Sequence, residues 1–218
     1  MIYSLDGLAR NGRRAGANCG STGGVVVGVR TSDAVVLAAD TRTTRGGVVA
    51  SDAVCKLDPI RPAAAIGSAD DLGDIQSFVR TLRTEADRYA DHHGRPISVP
   101  ALATVAGRTL QSFPALDTTF LLGGVDEIDS HVFTIDPDGA VVDDHYAVAG
   151  TGRRVAYGVL EDGYDPSLSL GAARDLVADA IDATVERDPR TGPRVDLAEI
   201  TDEQVAVHRF DSIDAVRP

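Results

Sequence analysis

Two apolar, β-branched segments joined by a short polar turn stand near the amino terminus, in the stretch TGGVVVGVRTSDAVVLAADTR from Thr22 to Arg42. Apolar runs of about four to eight residues bounded by turn residues indicate buried strands. The polar turn is Thr31-Ser32-Asp33, so residues 24–31 and 34–41 are predicted to form a hairpin. Two glycines precede the first strand, and their place at its start is the feature that needs an explanation.

The rest of the chain alternates between strand-like and helix-like periodicity. Strands are predicted near 48–50, 54–57, 63–69, 118–125, 131–135, 140–144, 195–200 and 204–210, and helices over 72–89, after Ser98, after Gly150 and after Ser167 or Ser169. Strand blocks that alternate with helix pairs predict an α+β fold, with two stacked antiparallel sheets covered by helices on both outer sides. Residues 23–211 are predicted to form this one domain, with 1–22 as a flexible leader and 212–218 as a tail.

Length and charge exclude several classes of protein. The chain has 218 residues, of which 43% are hydrophobic, which is enough for one substantial core. It has no apolar run of about 18 residues and no signal-peptide core of about 7–15 residues, so we expect a cytoplasmic protein. The net charge of -12 argues against nucleic acid and anionic membranes as partners, because both select clustered Lys and Arg.

The composition of the charged residues is unusual. Of the 33 acidic residues 27 are Asp, and of the 21 basic residues 20 are Arg. Such a surface is typical of a salt-rich cytoplasm, where salt screens self-repulsion, or of an acidic protein from a GC-rich genome. The single lysine is Lys56. It marks either a site that needs a compact cation whose pKa can shift, or a residue retained by chance or in a buried ion pair.

Several strings of the chain together resemble one family. They are the opening stretch, VASDAVCK, LLGGVDEIDSHVFTIDPDGAVVDDHYAVAGTG and VDLAEIT, and with the helical segments between them they cover about residues 22–201. In this order they resemble the β-type subunits of the archaeal proteasome core particle, of the haloarchaeal type. The resemblance implies an N-terminal-nucleophile hydrolase fold, a four-layer α-β-β-α sandwich. It also implies a threonine endopeptidase that needs no cofactor and no metal. Other α- and β-type subunits are the implied ring partners, and the implied substrates are unfolded polypeptides degraded with ATP.

The resemblance also implies roles for individual residues. Asp40 in AADTR and Lys56 in DAVCK match the aspartate and lysine beside the catalytic threonine of the family. Three further positions match the residues that support its free α-amine, namely Thr151, Asp188 and Thr191. Thr44 matches a position whose backbone aligns the substrate as an added strand. Asp70 falls in the loop whose backbone N–H stabilises the oxyanion.

The nucleophile itself is missing at its expected place. Aligned without gaps, the catalytic threonine falls on Gly24, which has no hydroxyl group. Loss of the nucleophile from a coupled catalytic set costs about 10⁶-fold in rate. Two more departures fall at the same cleft, since Asp70 replaces a glycine and Arg153 a small serine of the family.

Three hypotheses follow, and the sequence leaves the enzyme assignment open. The first is a catalytically silent β-type subunit that keeps Lys56 and Asp40 as a buried ion pair. The second is an active threonine endopeptidase in which cleavage before Thr22 exposes that residue as the nucleophile, since a shift of two residues keeps each side chain on its face. Ser21 and Cys19 are weaker candidates for that role. The third is a non-proteasomal assembly or interaction protein on the same fold.

Overall fold

The computed structural model describes residues 23–69 and 72–217, and within helix α1 it leaves the side chains of residues 72–74 undescribed. The strands are β1 Val25–Arg30, β2 Val35–Asp40, β3 Thr43–Arg45, β4 Val48–Ser51, β5 Leu57–Arg61, β6 Ala64–Ser68, β7 Phe120–Val125, β8 Ser130–Ile135, β9 Val141–Asp144, β10 Tyr146–Gly150, β11 Val195–Ile200 and β12 Val205–Phe210. The helices are α1 Leu72–His93, α2 Val99–Leu110, α3 Arg153–Gly163 and α4 Leu170–Val185, and a 3-10 turn follows at Ile213–Ala215. None of the described helices is both long and apolar enough to cross a membrane.

The strands form two five-stranded antiparallel sheets and a separate hairpin. The first sheet has the order β10-β1-β2-β11-β12, the second has the order β5-β6-β7-β8-β9, and β3 pairs with β4. Helices α3 and α4 contact the first sheet, and α1 and α2 contact the second. The predicted four-layer sandwich of two antiparallel sheets is therefore confirmed.

The opening hairpin lies in the middle of this sandwich, which explains its continuous apolar sequence. Alternate residues of a strand face opposite sides of a sheet. In β1, Val25 and Val27 pack against α4 and its neighbours, whereas Val26 packs between the two sheets. Because both faces of the strand are covered, both sets of side chains are apolar and buried.

Strands β3 and β10 were not predicted, and two further local predictions differ from the structure. The strand expected at 54–57 begins only at Leu57, so the segment before it is free to turn Lys56 into the interior. Ser98 was expected to cap α2, but its side chain makes no capping hydrogen bond. A carboxylate from another element replaces it, because Asp126 Oδ2 accepts a hydrogen bond from the Val99 N–H at 3.0 Å. Ser169 caps α4 as predicted, since its hydroxyl accepts from the Ala172 N–H at 3.2 Å.

Candidate active site

The ends of three neighbouring strands meet at the start of β1. Because β1 runs antiparallel to both β2 and β10, its first residue lies beside the last residues of each. Val25 pairs with Gly150 at the end of β10, and Val26 pairs with Ala39, next to the end of β2. Gly24 comes directly before β1, so the sheet register alone places it beside Asp40.

A buried ion pair lies under this junction. Lys56 Nζ is 2.7 Å from Asp40 Oδ1, and the exposed fractions of the two side chains are 1% and 0%. Each carboxylate oxygen of Asp40 has two donors. Oδ1 accepts from Lys56 and from the Val25 N–H, and Oδ2 accepts from the Arg42 and Gly192 N–H groups, each at 2.9 Å. The carboxylate thus has the full set of partners that a buried charge needs.

Both polar groups of the peptide bond between Gly23 and Gly24, and the next carbonyl along the chain, form hydrogen bonds. Lys56 Nζ donates to the Gly23 carbonyl at 3.2 Å, and the Gly24 N–H donates to Thr151 Oγ1 at 3.1 Å. The Gly24 carbonyl accepts from the Gly152 N–H at 3.3 Å. Lys56 is therefore bonded to an intact linkage at the place where the family resemblance implies a free amine and a hydroxyl group.

The space for a side chain on residue 24 is filled. A Cβ built on Gly24 would lie less than 3.0 Å from both Asp40 Oδ1 and Lys56 Nζ. Gly24 also has a φ of 130°, a conformation that side chains disfavour. The backbone conformation and the ion pair both favour glycine at this position, because a larger residue would displace Asp40 or Lys56.

A second polar group supports the same linkage from the other side. Asp188 Oδ2 accepts hydrogen bonds from the hydroxyls of Thr151, at 2.5 Å, and Thr191, at 3.2 Å. The Thr151 oxygen in turn accepts from the Gly24 N–H, as described above. The three residues predicted to support an α-amine therefore do lie together, and they support a peptide N–H instead.

A polar cleft of about 630 Å³ opens beside Gly150 and Thr151. Its walls carry three guanidinium groups and one carboxylate, and its lining residues are Asp117, Thr118, Thr119, Pro137, Gly150, Thr151, Arg153, Arg154 and Arg190. Arg153 was singled out in the sequence, but Arg154 and Arg190 were not. Their convergence comes from the fold, because α3 and the loop after α4 are far apart in the sequence and adjacent in space.

The remaining predicted residues stand apart from this cluster. Thr44 is a buried residue of β3, in the hairpin that follows Asp40. Its role in substrate alignment stays a prediction. Thr22 and Asp70 lie outside the described residues, so the proposed roles of the alternative nucleophile and of the oxyanion loop also stay predictions.

Several contacts of the site were not predicted from the sequence. They are the Gly23 carbonyl as an acceptor for Lys56, the Arg42 and Gly192 amides as donors to Asp40, and the side chain of Arg190 against Gly23. The contacts of the Gly23 carbonyl and of the Arg42 and Gly192 N–H groups involve backbone atoms, and residue types do not predict such contacts. Within the described ranges, no group of three or more His, Cys, Asp and Glu side chains is placed to hold a metal ion.

The chemistry available at this site is limited by the missing hydroxyl. Residue 24 offers no nucleophile, and the nearby hydroxyls of Thr151 and Thr191 are both directed at Asp188. The lysine and aspartate that would tune a nucleophile are bonded to each other and to backbone groups. The arrangement binds and fixes a peptide linkage, and it has no group at position 24 that can attack one.

Comparison with known proteins gives a consistent result. The model of the family described as "Proteasome subunit" matches residues 21–200. A protein named "Proteasome subunit beta" from Halorhabdus utahensis is 44% identical over 199 residues, which cover 91% of this chain and 85% of that protein. A protein named "Proteasome subunit beta 2" from Haloarcula marismortui is 43% identical, over 91% of this chain and 86% of its own length. The family match thus extends from β1 to β11 and includes all the described site residues.

Proposed function

The chain belongs to the proteasome subunit family, as a β-type member, and from this premise we propose that it is a catalytically silent subunit of a proteasome core particle. In this role it assembles with α- and β-type subunits in the cytoplasm and takes part in ATP-dependent degradation of unfolded polypeptides. Its contribution is to hold a ring position and to shape the chamber, while other subunits cleave the substrate.

The observation that carries this proposal is the closed space at Gly24. A threonine peptidase of this family needs a hydroxyl beside the lysine and a free α-amine as the general base. Here the Lys56–Asp40 pair fills the place of the side chain, and Thr151 binds a peptide N–H. The requirement for a hydroxyl beside the lysine is therefore unmet at position 24.

The lack of a side-chain oxygen on residue 24 supports an uncleaved linkage between Gly23 and Gly24. Residue 24 has no oxygen with which to attack the Gly23 carbonyl, and that carbonyl accepts a hydrogen bond from Lys56. The segment before Gly23 therefore stays attached unless another subunit removes it. We propose that residues 1–22 are retained in the mature protein.

The alternative with Thr22 as the nucleophile requires the hydrogen bonds of Gly23 and Gly24 to be broken and replaced. Moving Thr22 to the place of Gly24 shifts the start of the chain by two residues. The hydrogen bonds from Lys56 to Gly23 and from Gly24 to Thr151 would both have to be replaced. A catalytic hydroxyl must also be placed to within about 1 Å, because larger errors cost about 10²-fold in rate. The observed contacts favour the silent subunit.

The test combines intact mass with peptidase activity. The chain is expressed alone and together with an α-type subunit and an active β-type subunit, and each assembly is purified. We expect the chain to copurify with the ring, to keep its leader and to add no hydrolysis of fluorogenic peptides. A mature terminus at Thr22, with hydrolysis that the Thr22→Ala variant abolishes, would overturn the proposal. Failure to copurify with any proteasome subunit would instead support a non-proteasomal role.

A further inference from the structure

The polar cleft beside Gly150 and Thr151 has the chemistry of an anion site. We propose that it binds the carboxylate side chains of an acidic polypeptide segment through Arg153, Arg154 and Arg190. This inference does not depend on catalytic silence, because the cleft and its arginines are present whatever residue 24 does. It assigns a binding role to a surface that adjoins the degenerate catalytic set at Thr151.

The three arginines have no ionic partners among the described residues. Within residues 23–69 and 72–217, none of their guanidinium groups forms a salt bridge or a side-chain hydrogen bond, whereas eight other arginines are paired with carboxylates, namely Arg30, Arg42, Arg83, Arg88, Arg174, Arg194, Arg209 and Arg217. Among the described lining residues one carries a carboxylate, Asp117, and the carboxylate of Asp188 is hydrogen-bonded to the lining residue Thr151. In a chain with a net charge of -12, three arginines among the described lining residues of one cleft are a marked exception.

The start of α3 adds an independent argument. Arg153 and Arg154 are its first two residues, and its first turn contains no acidic residue. A helix amino terminus carries a partial positive charge, so basic residues there destabilise the helix. Within the described residues, the N–H groups of Arg153 and Arg154 also have no hydrogen-bond acceptor. A bound carboxylate would satisfy these donors and offset the unfavourable charge at once.

The third arginine comes from a different element. Arg190 lies in the loop between α4 and β11, and the aliphatic part of its side chain packs on Gly23. Its guanidinium therefore faces the cleft from another wall than the two at the start of α3. Positive groups presented from two walls suit several carboxylates on one chain better than a single small anion, because each guanidinium can bind its own carboxylate with two hydrogen bonds.

The charge of the leader excludes it as the occupant. Residues 1–22 contain three arginines, Arg10, Arg13 and Arg14, and one acidic residue, Asp6. Like charges would repel this segment from the cleft. The partner is thus an acidic segment from outside the chain's own amino terminus.

The experiment measures binding of a labelled acidic peptide by fluorescence anisotropy. The probe is a short fluorescein-labelled peptide of alternating Asp and Glu, and the control probe is the same peptide with Asn and Gln. The purified full chain is titrated at the lowest salt concentration that keeps it folded by circular dichroism. The test variant is R153A/R154A, and the charge-matched control is R95A/R108A, whose arginines are exposed and lie outside the cleft.

We expect saturable binding of the acidic peptide only, weakened at least about tenfold in R153A/R154A and unchanged in R95A/R108A. In the absence of peptide, the thermal midpoint of R153A/R154A should be equal to or above that of the parent, which separates lost binding from lost folding. No saturation up to about 1 mM peptide overturns the proposal. Equal binding of the neutral peptide, or equal weakening in both double variants, overturns it as well.

Discussion

The ammonium nitrogen of Lys56 lies 2.7 Å from Asp40 Oδ1, and these same two atoms border the space where a side chain on residue 24 would begin. Lys56 and Asp40 thus bond to each other, and neither side chain is directed at a reacting group. The second bond of Lys56, to the Gly23 carbonyl, ties the pair to an intact linkage. Lys56 thus holds the backbone of the chain at Gly23.

Restoring a threonine at position 24 should not restore a peptidase. In Gly24→Thr the new Cβ meets Asp40 and Lys56, and a residue with a side chain must adopt the observed φ of 130°. Such backbone strain costs about 1–3 kcal/mol, and the contacts with the ion pair add to it. We expect a lower free energy of unfolding in denaturant titrations and no hydrolysis of fluorogenic peptides.

Two glycine variants control for this prediction. Gly24→Ala adds the Cβ without a hydroxyl and should lose about as much stability as Gly24→Thr. Gly158→Ala, at an exposed position of α3 with open space around it, should be neutral or stabilising by up to about 1 kcal/mol. Hydrolysis by Gly24→Thr that is absent from Gly24→Ala would contradict the prediction, because it would show that the site accepts a nucleophile.

The buried ion pair is expected to act through stability. Lys56→Met removes the ammonium and leaves the buried Asp40 carboxylate without its cationic partner. Breaking such a pair costs about 3–5 kcal/mol. We expect a loss of that size in the free energy of unfolding, measured by urea titration followed by circular dichroism.

An exposed ion pair provides the comparison. Arg88→Ala removes one partner of an i,i+3 pair with Glu85, in which the arginine side chain is 73% exposed. Exposed pairs contribute less than about 1 kcal/mol. Equal losses in Lys56→Met and Arg88→Ala would refute a structural role for the buried pair.

The fold was predictable because local signals agreed with the tertiary arrangement. The apolar run at residues 24–31 and the change of period at Leu72 gave strands and helices nearly where they lie. The exceptions depend on distant residues. Ser98 has the chemistry of a cap, but Asp126 from the turn after β7 takes the position at the helix start. That turn is far from α2 in the sequence, so the local pattern around α2 does not predict this cap.

The site was predictable only in its side chains. The family resemblance, together with the lone Lys56, indicated the cluster, and the structure brings Asp40, Thr151, Asp188 and Thr191 together. The conformation of Gly24 and the backbone N–H donors to Asp40 depend on how loops pack together, so residue types do not predict them. The gathering of Arg154 and Arg190 beside Arg153 has the same origin.

A second buried carboxylate gives a further prediction. Asp196 on β11 is 2% exposed and accepts two hydrogen bonds, at 2.6 and 2.7 Å, from the guanidinium of Arg209 on β12. Arg209→Ala leaves this carboxylate unpaired, which costs about 1–3 kcal/mol because the arginine end of the pair is half exposed to solvent. The measurement is again the free energy of unfolding in urea.

The matched control for Arg209→Ala is Arg194→Ala. Arg194 pairs with Asp211 at 3.5 Å, and the Asp211 side chain is 93% exposed. Its removal should cost less than about 1 kcal/mol. A larger loss of stability for Arg194→Ala than for Arg209→Ala would contradict the inference that the buried Asp196 carboxylate causes the loss in Arg209→Ala.

The cap of α2 should make stability depend on pH in the acidic range. Burial opposes ionisation of Asp126, but hydrogen bonds from the Val99, Ile128 and Asp129 N–H groups, together with nearby His131, lower its pKa below the ordinary value. A carboxyl whose pKa is lowered by folding stabilises the protein above its unfolded pKa of about 3.9 and loses that contribution as pH falls through the folded pKa. Asp126→Asn should therefore lower the free energy of unfolding by about 0.5–2 kcal/mol at neutral pH, the range for a lost cap, and the difference from the parent should shrink below about pH 4. Glu127→Gln, an exposed change in the same turn, should leave the pH dependence of the free energy of unfolding unchanged. If the difference in free energy between Asp126→Asn and the parent stays constant down to pH values near 2, ionisation of the cap is not the cause.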